Sequence, residues 1–360
     1  MKNLKEIDIN LKTDNSFNKE DLKWYPATDG HFSLFGIKKT DCGYARMDEK
    51  TAETVSENVK ILNYHTAGGR IAFESESSYI AVKTVMANEG SSALTLTAAA
   101  GFDLYIDEGE GFYFYNSFIP EWDFTDGYQA IIDLKYGFRM KAERYVSKKR
   151  KFLIHFPLYT AVKEAYIGLS DSPVKYNPYP EIAPIVFYGS SITHGASADH
   201  PGNAYANIVS RKLNRDYINL GFSGSARGEL EMADYIASLP MSLFFYGYDH
   251  NEVFFPEDFK IKHFRFYERV REKNKDLPII FASAPFSPRA SGTFEITRKT
   301  VIESYEKAKA RGDRVAYVDG KHVFGDEFYD CGTTDGAHPS MFGFVKMAEA
   351  VIKAVKEVEK

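Results

Sequence analysis

The chain has 360 residues, of which 44% are hydrophobic and 26% charged, and its formal net charge is −5. This composition is typical of a globular protein, and the length favours two domains over a single core. The sequence has no basic block, so nucleic acid and anionic membranes are not expected as partners. Its two cysteines, Cys42 and Cys331, lie far apart and lack metal-ligand spacing, so neither a disulfide framework nor a metal site is expected.

The amino-terminal stretch, MKNLKEIDINLKTDN, lacks the apolar core and the cleavage site of a signal peptide. No apolar run along the sequence approaches the length of a transmembrane helix. The sequence as written therefore predicts a cytoplasmic protein. A secreted or periplasmic location would require a signal peptide that had already been removed.

Residues 1–178 are predicted to form an all-β, jelly-roll-like sandwich. Several short segments alternate between apolar and polar residues with the period of a half-buried strand, at 80–85, 94–97, 102–107, 130–134 and 151–159. Turn signals rich in glycine separate these segments, and no long stretch carries a convincing helical stripe. Short strands at regular spacing are typical of sandwiches and jelly rolls.

The pattern changes after a proline-rich segment. Residues 171–180 contain three prolines, which fix φ and remove backbone donors, so an inter-domain linker is predicted there, with the boundary after residue 178. Five short apolar runs follow, with longer amphipathic stretches between them, at 185–188, 217–220, 243–246, 279–282 and 315–318. Strands that alternate with helices predict an α/β domain over residues 179–360, with a five-stranded parallel sheet buried on both faces.

The first apolar run leads into YGSSITHG, residues 188–195. A serine at a tight turn between strand and helix can present its hydroxyl at the sheet edge, beside helix N–H groups that favour negative charge. The same serines and glycines could serve only the turn and the helix cap. From this stretch alone, the structural interpretation is the stronger one.

Polar residues and glycines also follow other strands of the predicted sheet. A glycine-rich loop containing Gly224 follows the second run, and a polar triplet, residues 249–251, follows the third. Asp335 and His338 lie in one loop just before the last predicted helix, where the acid could orient the histidine as a base. Each signal is weak by itself, but all of them fall on the carboxyl edge of the sheet, where sites form in α/β folds.

In this order, the strand ends resemble the sequence blocks of the SGNH (GDSL-like) hydrolase superfamily. The resemblance covers residues 183–358, about half of the chain. It implies a three-layer α/β/α, flavodoxin-like domain and a serine hydrolase that cleaves esters. The whole chain also resembles a bacterial subgroup in which a β-sandwich precedes the SGNH domain.

The resemblance assigns roles to particular residues. Ser191 matches the nucleophile, and Ser190 stands in place of the usual aspartate. Gly224 matches the glycine whose backbone N–H contributes, with that of Ser191, to the oxyanion hole. Asp335 and His338 match the acid and the base of the catalytic triad. The implied mechanism forms an acyl-enzyme and requires no metal or organic cofactor.

The third block departs from the family pattern. The family usually reads Gly-x-Asn-Asp, whereas Gly247 is followed here by Tyr-Asp-His-Asn. Counting from Gly247 puts Asp249 at the asparagine position, but a carboxylate is a poor oxyanion donor unless it is protonated. Asn251 is the predicted third oxyanion donor if the loop is longer by two residues.

The predicted substrate is a small ester or an acylated carbohydrate, and the first hypothesis is the removal of acetyl groups from saccharides. His250, Asp249 and Arg227 are the predicted substrate contacts. A lipase, lysophospholipase or thioesterase would need an apolar acyl channel that the sequence does not reveal. A non-catalytic glycan-binding protein is the alternative from another class, and the presence of all three triad residues disfavours it. A homo-oligomer is compatible with the sequence.

Overall fold

The computed structural model describes residues 7–8, 17–89, 91, 93–134, 149–285 and 292–360. The strands of the amino-terminal half are β1 (Lys23–Pro26), β2 (Ser33–Phe35), β3 (Lys38–Thr40), β4 (Gly43–Ala45), β5 (Arg70–Ser75), β6 (Tyr79–Met86), β7 (Phe102–Asp107), β8 (Tyr113–Phe118), β9 (Tyr128–Asp133), β10 (Arg150–His155), β11 (Val162–Leu169) and β12 (Val174–Lys175). Their two main sheets have the orders β1-β11-β6-β9 and β12-β5-β10-β7-β8, with β2 paired to β5 and β3 to β4. Phe73 and Phe152 of one sheet share a core with Ile80 and Ile167 of the other, which confirms the predicted sandwich.

The structure corrects the sequence analysis by placing helices in this half, namely α1 (Glu49–Val55), α2 (Glu57–Leu62) and α3 (Leu96–Ala100). The predicted strand over 94–97 is wrong, because the Thr95 side chain caps α3 by accepting a hydrogen bond from the Ala98 N–H at 3.1 Å. A cap followed by a run of alanines outweighs an alternation of only four residues. Ala52 of α1 and Val59 of α2 pack into the core of the carboxy-terminal half.

The proline-rich segment is part of the sandwich for some of its length. In β12, Val174 pairs with Glu74, and Lys175 pairs with Phe73 of β5. The predicted linker therefore contains a short strand, and the position of the domain boundary stays a prediction.

The carboxy-terminal half contains β13 (Ile185–Gly189), β14 (Tyr217–Gly221), β15 (Leu243–Gly247), β16 (Ile279–Ala282), β17 (Val315–Val318), α4 (Ser191–His194), α5 (Tyr205–Leu213), α6 (Leu230–Ser238), α7 (Pro256–Lys273), α8 (Gly292–Ala310) and α9 (Met341–Val358). The five strands are parallel in the order β14-β13-β15-β16-β17. This is the flavodoxin-like order, so the predicted architecture is confirmed.

Helices cover both faces of this sheet. Ile185 and Phe187 pack into the core beneath α5 and α9, whereas Val186 and Tyr188 pack into the core beneath α6, α7 and α8. Successive residues of a strand point to opposite faces, so a sheet buried on both sides requires apolar residues at every position. No helix among the described residues has the length and apolar character needed to span a membrane.

The strand register brings three loops together. Gly189, the last residue of β13, pairs with Gly221 of β14 on one side and with Gly247 of β15 on the other. The loops that follow these glycines therefore leave the sheet side by side, at its carboxyl edge.

Candidate active site

Ser191 is the first residue of α4 and follows directly on β13. Ser190 caps this helix, since its Oγ accepts a hydrogen bond from the Ile192 N–H at 3.2 Å. Gly195, with φ of 111°, ends the helix after one turn. The local structure thus separates the two serines: Ser190 is the cap, and the Ser191 side chain is available for chemistry.

A chain of hydrogen bonds links the three residues of the predicted triad. Ser191 Oγ lies 2.9 Å from His338 Nε2, and His338 Nδ1 lies 2.8 Å from Asp335 Oδ2. The other carboxylate oxygen, Oδ1, accepts hydrogen bonds from the N–H groups of Ala337 at 2.9 Å and His338 at 2.7 Å. Ser340 then caps α9 with its side chain, which anchors the loop to the last helix.

The charge state of Asp335 fixes the roles of the two histidine nitrogens. Partial burial acts to raise the pKa of Asp335, but the hydrogen bonds from His338 and Ala337 outweigh it and hold this pKa at about 2. An ionised carboxylate can only accept hydrogen bonds, so Nδ1 of His338 carries the proton. In the neutral imidazole Nε2 is then the acceptor for the Ser191 hydroxyl, the arrangement that a general base needs.

The two predicted oxyanion donors are the backbone N–H groups of Ser191 and Gly224. The N–H of Ser191 is at the first position of a helix, where it has no intrahelical partner. Gly224 follows β14 in the neighbouring loop, with φ of 65°, and among the described residues no atom beyond its two chain neighbours lies within 4 Å of the position that a Cβ would take. The space beside Gly224 is therefore open to a ligand.

Two family models match the chain. The model described as the GDSL-like lipase/acylhydrolase family matches residues 182–356, and the model described as the N-terminus of SGNH-hydrolase-type esterases matches residues 22–173. The chain belongs to the SGNH (GDSL-like) hydrolase superfamily. It is an SGNH-type hydrolase. No curated protein is similar enough to the chain to count as a match.

Several solved structures share both domains of this SGNH hydrolase. A Bacteroides ovatus protein described as a GDSL-like lipase has a TM-score of 0.82 at 27% identity, over 94% of this chain and 98% of that one. The salicylyl-acyltransferase SsfX3 from a tetracycline biosynthetic pathway has a TM-score of 0.76 at 18% identity, over 95% and 99% of the two chains. A family two carbohydrate esterase from Clostridium thermocellum, in complex with cellohexaose, has a TM-score of 0.57 at 16% identity, over 81% and 92%.

Asn251 makes contacts that differ from those of a free oxyanion donor. Its Nδ2 donates to the carbonyl oxygens of Phe222 at 3.2 Å and Ala226 at 3.0 Å, on either side of Gly224. An amide nitrogen has two hydrogens, so both are engaged by the loop. In the structure, Asn251 stabilises the conformation of the Gly224 loop, and its part in the oxyanion hole stays a prediction.

Asp249, at the position where the family carries asparagine, is buried beneath the site. Its Oδ2 accepts a hydrogen bond from the Ala284 N–H, just beyond β16, at 2.9 Å. Burial raises the pKa of Asp249 to about 7, against the lowering effect of that hydrogen bond. Asp249 also lines a cavity of about 20 Å³, together with Ser190, His250 and Ser283.

His250 lies beside His338, the predicted base. Its ring centre is 5.8 Å from that of His338 and 5.8 Å from that of Phe294. Burial, with a smaller contribution from the neighbouring His338, lowers the pKa of His250 to about 4. The ring of His250 is therefore neutral at neutral pH and places no positive charge next to His338. Its role as a substrate contact stays a prediction.

Arg227 makes its contacts with protein groups around the Gly224 loop. Its Nε donates to the carbonyl of Gly224 at 3.4 Å, and its Nη1 lies 3.8 Å from Oε1 of the buried Glu252. The guanidinium also covers the Phe255 ring at 4.5 Å. About a third of the Arg227 side chain is exposed, so substrate contact stays a prediction for this residue as well.

Sequence reasoning missed a contribution from the sandwich domain. The hydroxyl of Tyr159 donates to the main-chain carbonyl of Ser191 at 3.3 Å, and its ring stacks on that of His194 at 4.0 Å. His65 of the same domain lies 5.5 Å from the His194 ring. No spacing along the sequence signals such contacts, because packing between domains creates them.

Proposed function

We propose that this SGNH hydrolase cleaves carboxylic esters through an acyl-enzyme formed on Ser191. The observation that carries the proposal is the pair of hydrogen bonds from Ser191 to His338 at 2.9 Å and from His338 to Asp335 at 2.8 Å. Nucleophile and base are separated by 147 positions in the sequence, so the fold brings them together. A nucleophile bonded to a base, which is itself oriented by a third group, is the signature of nucleophilic catalysis.

The mechanism has two steps, acylation of Ser191 and hydrolysis of the acyl-enzyme, and the same residues act in both. Ser191 Oγ attacks the ester carbonyl carbon while His338 Nε2 takes its proton, and Asp335 stabilises the imidazolium. The carbonyl oxygen becomes negative and accepts hydrogen bonds from the N–H groups of Ser191 and Gly224. The alcohol leaves with the proton of His338. Water, deprotonated by the same histidine, then releases the acid and restores the serine.

The proposed substrate is a short acyl ester of a saccharide, most simply an acetyl ester. A carbohydrate esterase that binds cellohexaose shares both domains with this chain, which supports a saccharide as the alcohol.

The test compares p-nitrophenyl acetate, butyrate and octanoate, together with an acetylated xylo-oligosaccharide, on wild type and Ser191→Ala. We expect wild type to prefer acetate and to release acetate from the oligosaccharide. Loss of the nucleophile should lower kcat by about 10³-fold or more, to the residual level that binding and the oxyanion hole provide. Ser190→Ala is the matched control: it removes the helix cap, at a cost of about 1 kcal/mol in stability, and keeps the nucleophile.

The alternatives predict other results. A preference for octanoate would indicate a lipase or thioesterase. Binding of the oligosaccharide without release of acetate, by wild type and Ser191→Ala alike, would indicate a glycan-binding protein. Equal hydrolysis by both proteins would remove Ser191 from the mechanism.

A further inference from the structure

Arg46 of the sandwich domain reaches across to the last residues of β14. Its side chain is buried, with 4% of the residue exposed. Nη1 donates to the carbonyl oxygens of Gly221 at 2.6 Å and Asn219 at 3.3 Å, and Nη2 donates to the carbonyl of Leu62 at 2.6 Å. These contacts tie the two domains together at the carboxyl edge of the parallel sheet.

The position of β14 explains why it needs such a partner. This strand is at the edge of the sheet, so alternate backbone groups have no neighbouring strand to pair with. A buried carbonyl without a partner is costly, and Arg46 satisfies the carbonyls of Asn219 and Gly221. Gly221 is only three residues before Gly224, and the guanidinium also covers the ring of Phe222 at 4.4 Å. Arg46 therefore holds the base of the oxyanion loop.

The charge of Arg46 is not neutralised by a carboxylate. None of the ion pairs among the described residues involves it, and its partners are neutral carbonyls and an aromatic ring. Burial lowers the pKa of Arg46 to about 9, so the side chain is still protonated at neutral pH. A buried charge without a counter-ion is expensive for folding, and a negative charge that develops nearby would be attracted to it.

We infer that Arg46 is a positioning residue for the oxyanion hole, which it serves by fixing the start of the Gly224 loop and by placing a positive charge at the carboxyl end of β14. The inference rests on the proposed roles of Ser191 and Gly224. It gives the sandwich domain a part in catalysis, because an arginine of that domain holds the start of the loop that is proposed to bind the oxyanion.

Arg70 offers a matched control in the same chain. It is also a fully buried arginine of the sandwich domain, and its Nη2 donates to the Tyr217 carbonyl at 2.9 Å, at the amino end of β14. Its guanidinium covers the Tyr217 ring at 3.9 Å. Unlike Arg46, however, it pairs with a carboxylate, Asp216, at 2.8 Å. The two arginines anchor opposite ends of one strand, and only Arg46 lies at the end that carries the site.

The experiment compares Arg46→Gln and Arg46→Lys with Arg70→Gln and Arg70→Lys. Two readouts are measured on protein that remains folded by circular dichroism: kcat and KM for p-nitrophenyl acetate, and the inhibition constant of methylboronic acid. In the inhibitor complex Ser191 Oγ adds to boron, its proton passes to His338, and the boron becomes a tetrahedral anion. Inhibition thus reports on the oxyanion hole without a leaving group.

We expect Arg46→Gln to lower kcat about tenfold or more with little change in KM, and to raise the inhibition constant of methylboronic acid by a similar factor. Arg46→Lys keeps the charge and should recover part of both losses. Arg70→Gln should lower the melting temperature while leaving kcat and the inhibition constant within about twofold of wild type.

Several outcomes would overturn the inference. Arg46→Gln with wild-type kcat, or equal losses in Arg46→Gln and Arg70→Gln, would leave Arg46 a purely structural residue. If Arg46→Gln does not fold, the two lysine variants are compared instead. One ammonium group cannot bind all three carbonyls that Arg46 binds, so Arg46→Lys should have a lower kcat than wild type, whereas Arg70→Lys should not. Equal kcat values for the two lysine variants would contradict the inference. A failure of the proposed function is distinguishable, because Ser191→Ala would then be as active as wild type.

Discussion

Asp103 of β7 lies 2.5 Å from His200 Nδ1 through its Oδ2, and the same oxygen accepts a hydrogen bond from the Gly202 N–H at 2.6 Å. Asp103 belongs to the sandwich domain, whereas His200 and Gly202 lie between α4 and α5 of the hydrolase domain. Its other oxygen accepts from Ser117 Oγ at 2.7 Å. A completely buried carboxylate is therefore satisfied only when the two domains are docked.

Asp103→Asn should destabilise the protein. The amide keeps the size of the side chain but removes its charge, so the buried hydrogen bonds from the Gly202 N–H and from His200 lose the strength that a charged acceptor gives them. The free energy of unfolding should fall by about 3 kcal/mol, measured as a lower midpoint in guanidinium chloride.

Asp133→Asn is the control for that experiment. Asp133 pairs with Lys19 at 3.0 Å on the surface of the same domain, where both side chains are partly exposed. Its midpoint should stay close to that of wild type, because exposed ion pairs contribute little. A similar shift for both variants would mean that Asp103 does no more than a surface charge.

Gly224→Ala should lower activity more than stability. The φ of 65° at this residue disfavours a side chain by about 1–2 kcal/mol, and the new Cβ would extend into the open space proposed for the oxyanion. The kcat/KM for p-nitrophenyl acetate should drop about tenfold or more. Gly312 has φ of 82° and is equally free of neighbours, but it lies before β17, at the opposite edge of the sheet.

Gly312→Ala therefore introduces the same backbone strain away from the site. It should lose stability as Gly224→Ala does and keep its kcat/KM. If the two variants show the same kinetics, Gly224 has no special part in the reaction.

The hydrolase domain was predictable because its signals are local. A parallel sheet buried on both faces leaves continuous apolar runs, as in Val186 and Phe187, whose side chains enter opposite cores. Asp335 and His338 lie three residues apart in one loop, so their separation along the sequence is enough to predict that their side chains are close together. The order of the family motifs then predicted that Ser191 lies at the same edge of the sheet as these two residues.

The remaining features were not predictable, because they depend on contacts between distant segments. Tyr159 and Arg46 reach the site across the domain interface, and neither lies in a motif or on a periodic pattern. The engagement of Asn251 by two carbonyls depends on the path of the Gly224 loop. The helix at Leu96–Ala100 was missed for a different reason: its cap is a single threonine, and alternation over four residues looked like a strand.

Tyr159→Phe should lower kcat modestly. The variant keeps the ring that stacks on His194 and removes only the hydroxyl that donates to the Ser191 carbonyl. A hydrogen bond of this kind contributes about 0.5–1.5 kcal/mol, so a decrease of about two- to tenfold is expected in the p-nitrophenyl acetate assay. Tyr105→Phe is the control, since the Tyr105 hydroxyl is buried at the domain interface and has no hydrogen-bond partner in the part of the chain that the structure describes. It should cost neither activity nor stability, and an equal loss in both variants would argue against a role for the Tyr159 hydrogen bond.

Asp249 should make the stability of the protein depend on pH. Its pKa is raised from 3.8 to about 7 by burial, so between these values the folded state holds a proton that the unfolded state has lost. The free energy of unfolding should therefore fall as the pH rises through this window, by up to about 4 kcal/mol. Asp249→Asn removes this titration and can still accept from the Ala284 N–H.

Chemical denaturation of wild type and Asp249→Asn at a series of pH values between 4 and 8 checks this. The two proteins should have similar stability at pH 4, which serves as the internal control, and the variant should be the more stable one at pH 8. Burial also raises the pKa of Glu252 to about 7. Both proteins should therefore keep some decrease in the free energy of unfolding with rising pH. Parallel curves for wild type and variant would show that Asp249 is ionised in the folded protein without penalty.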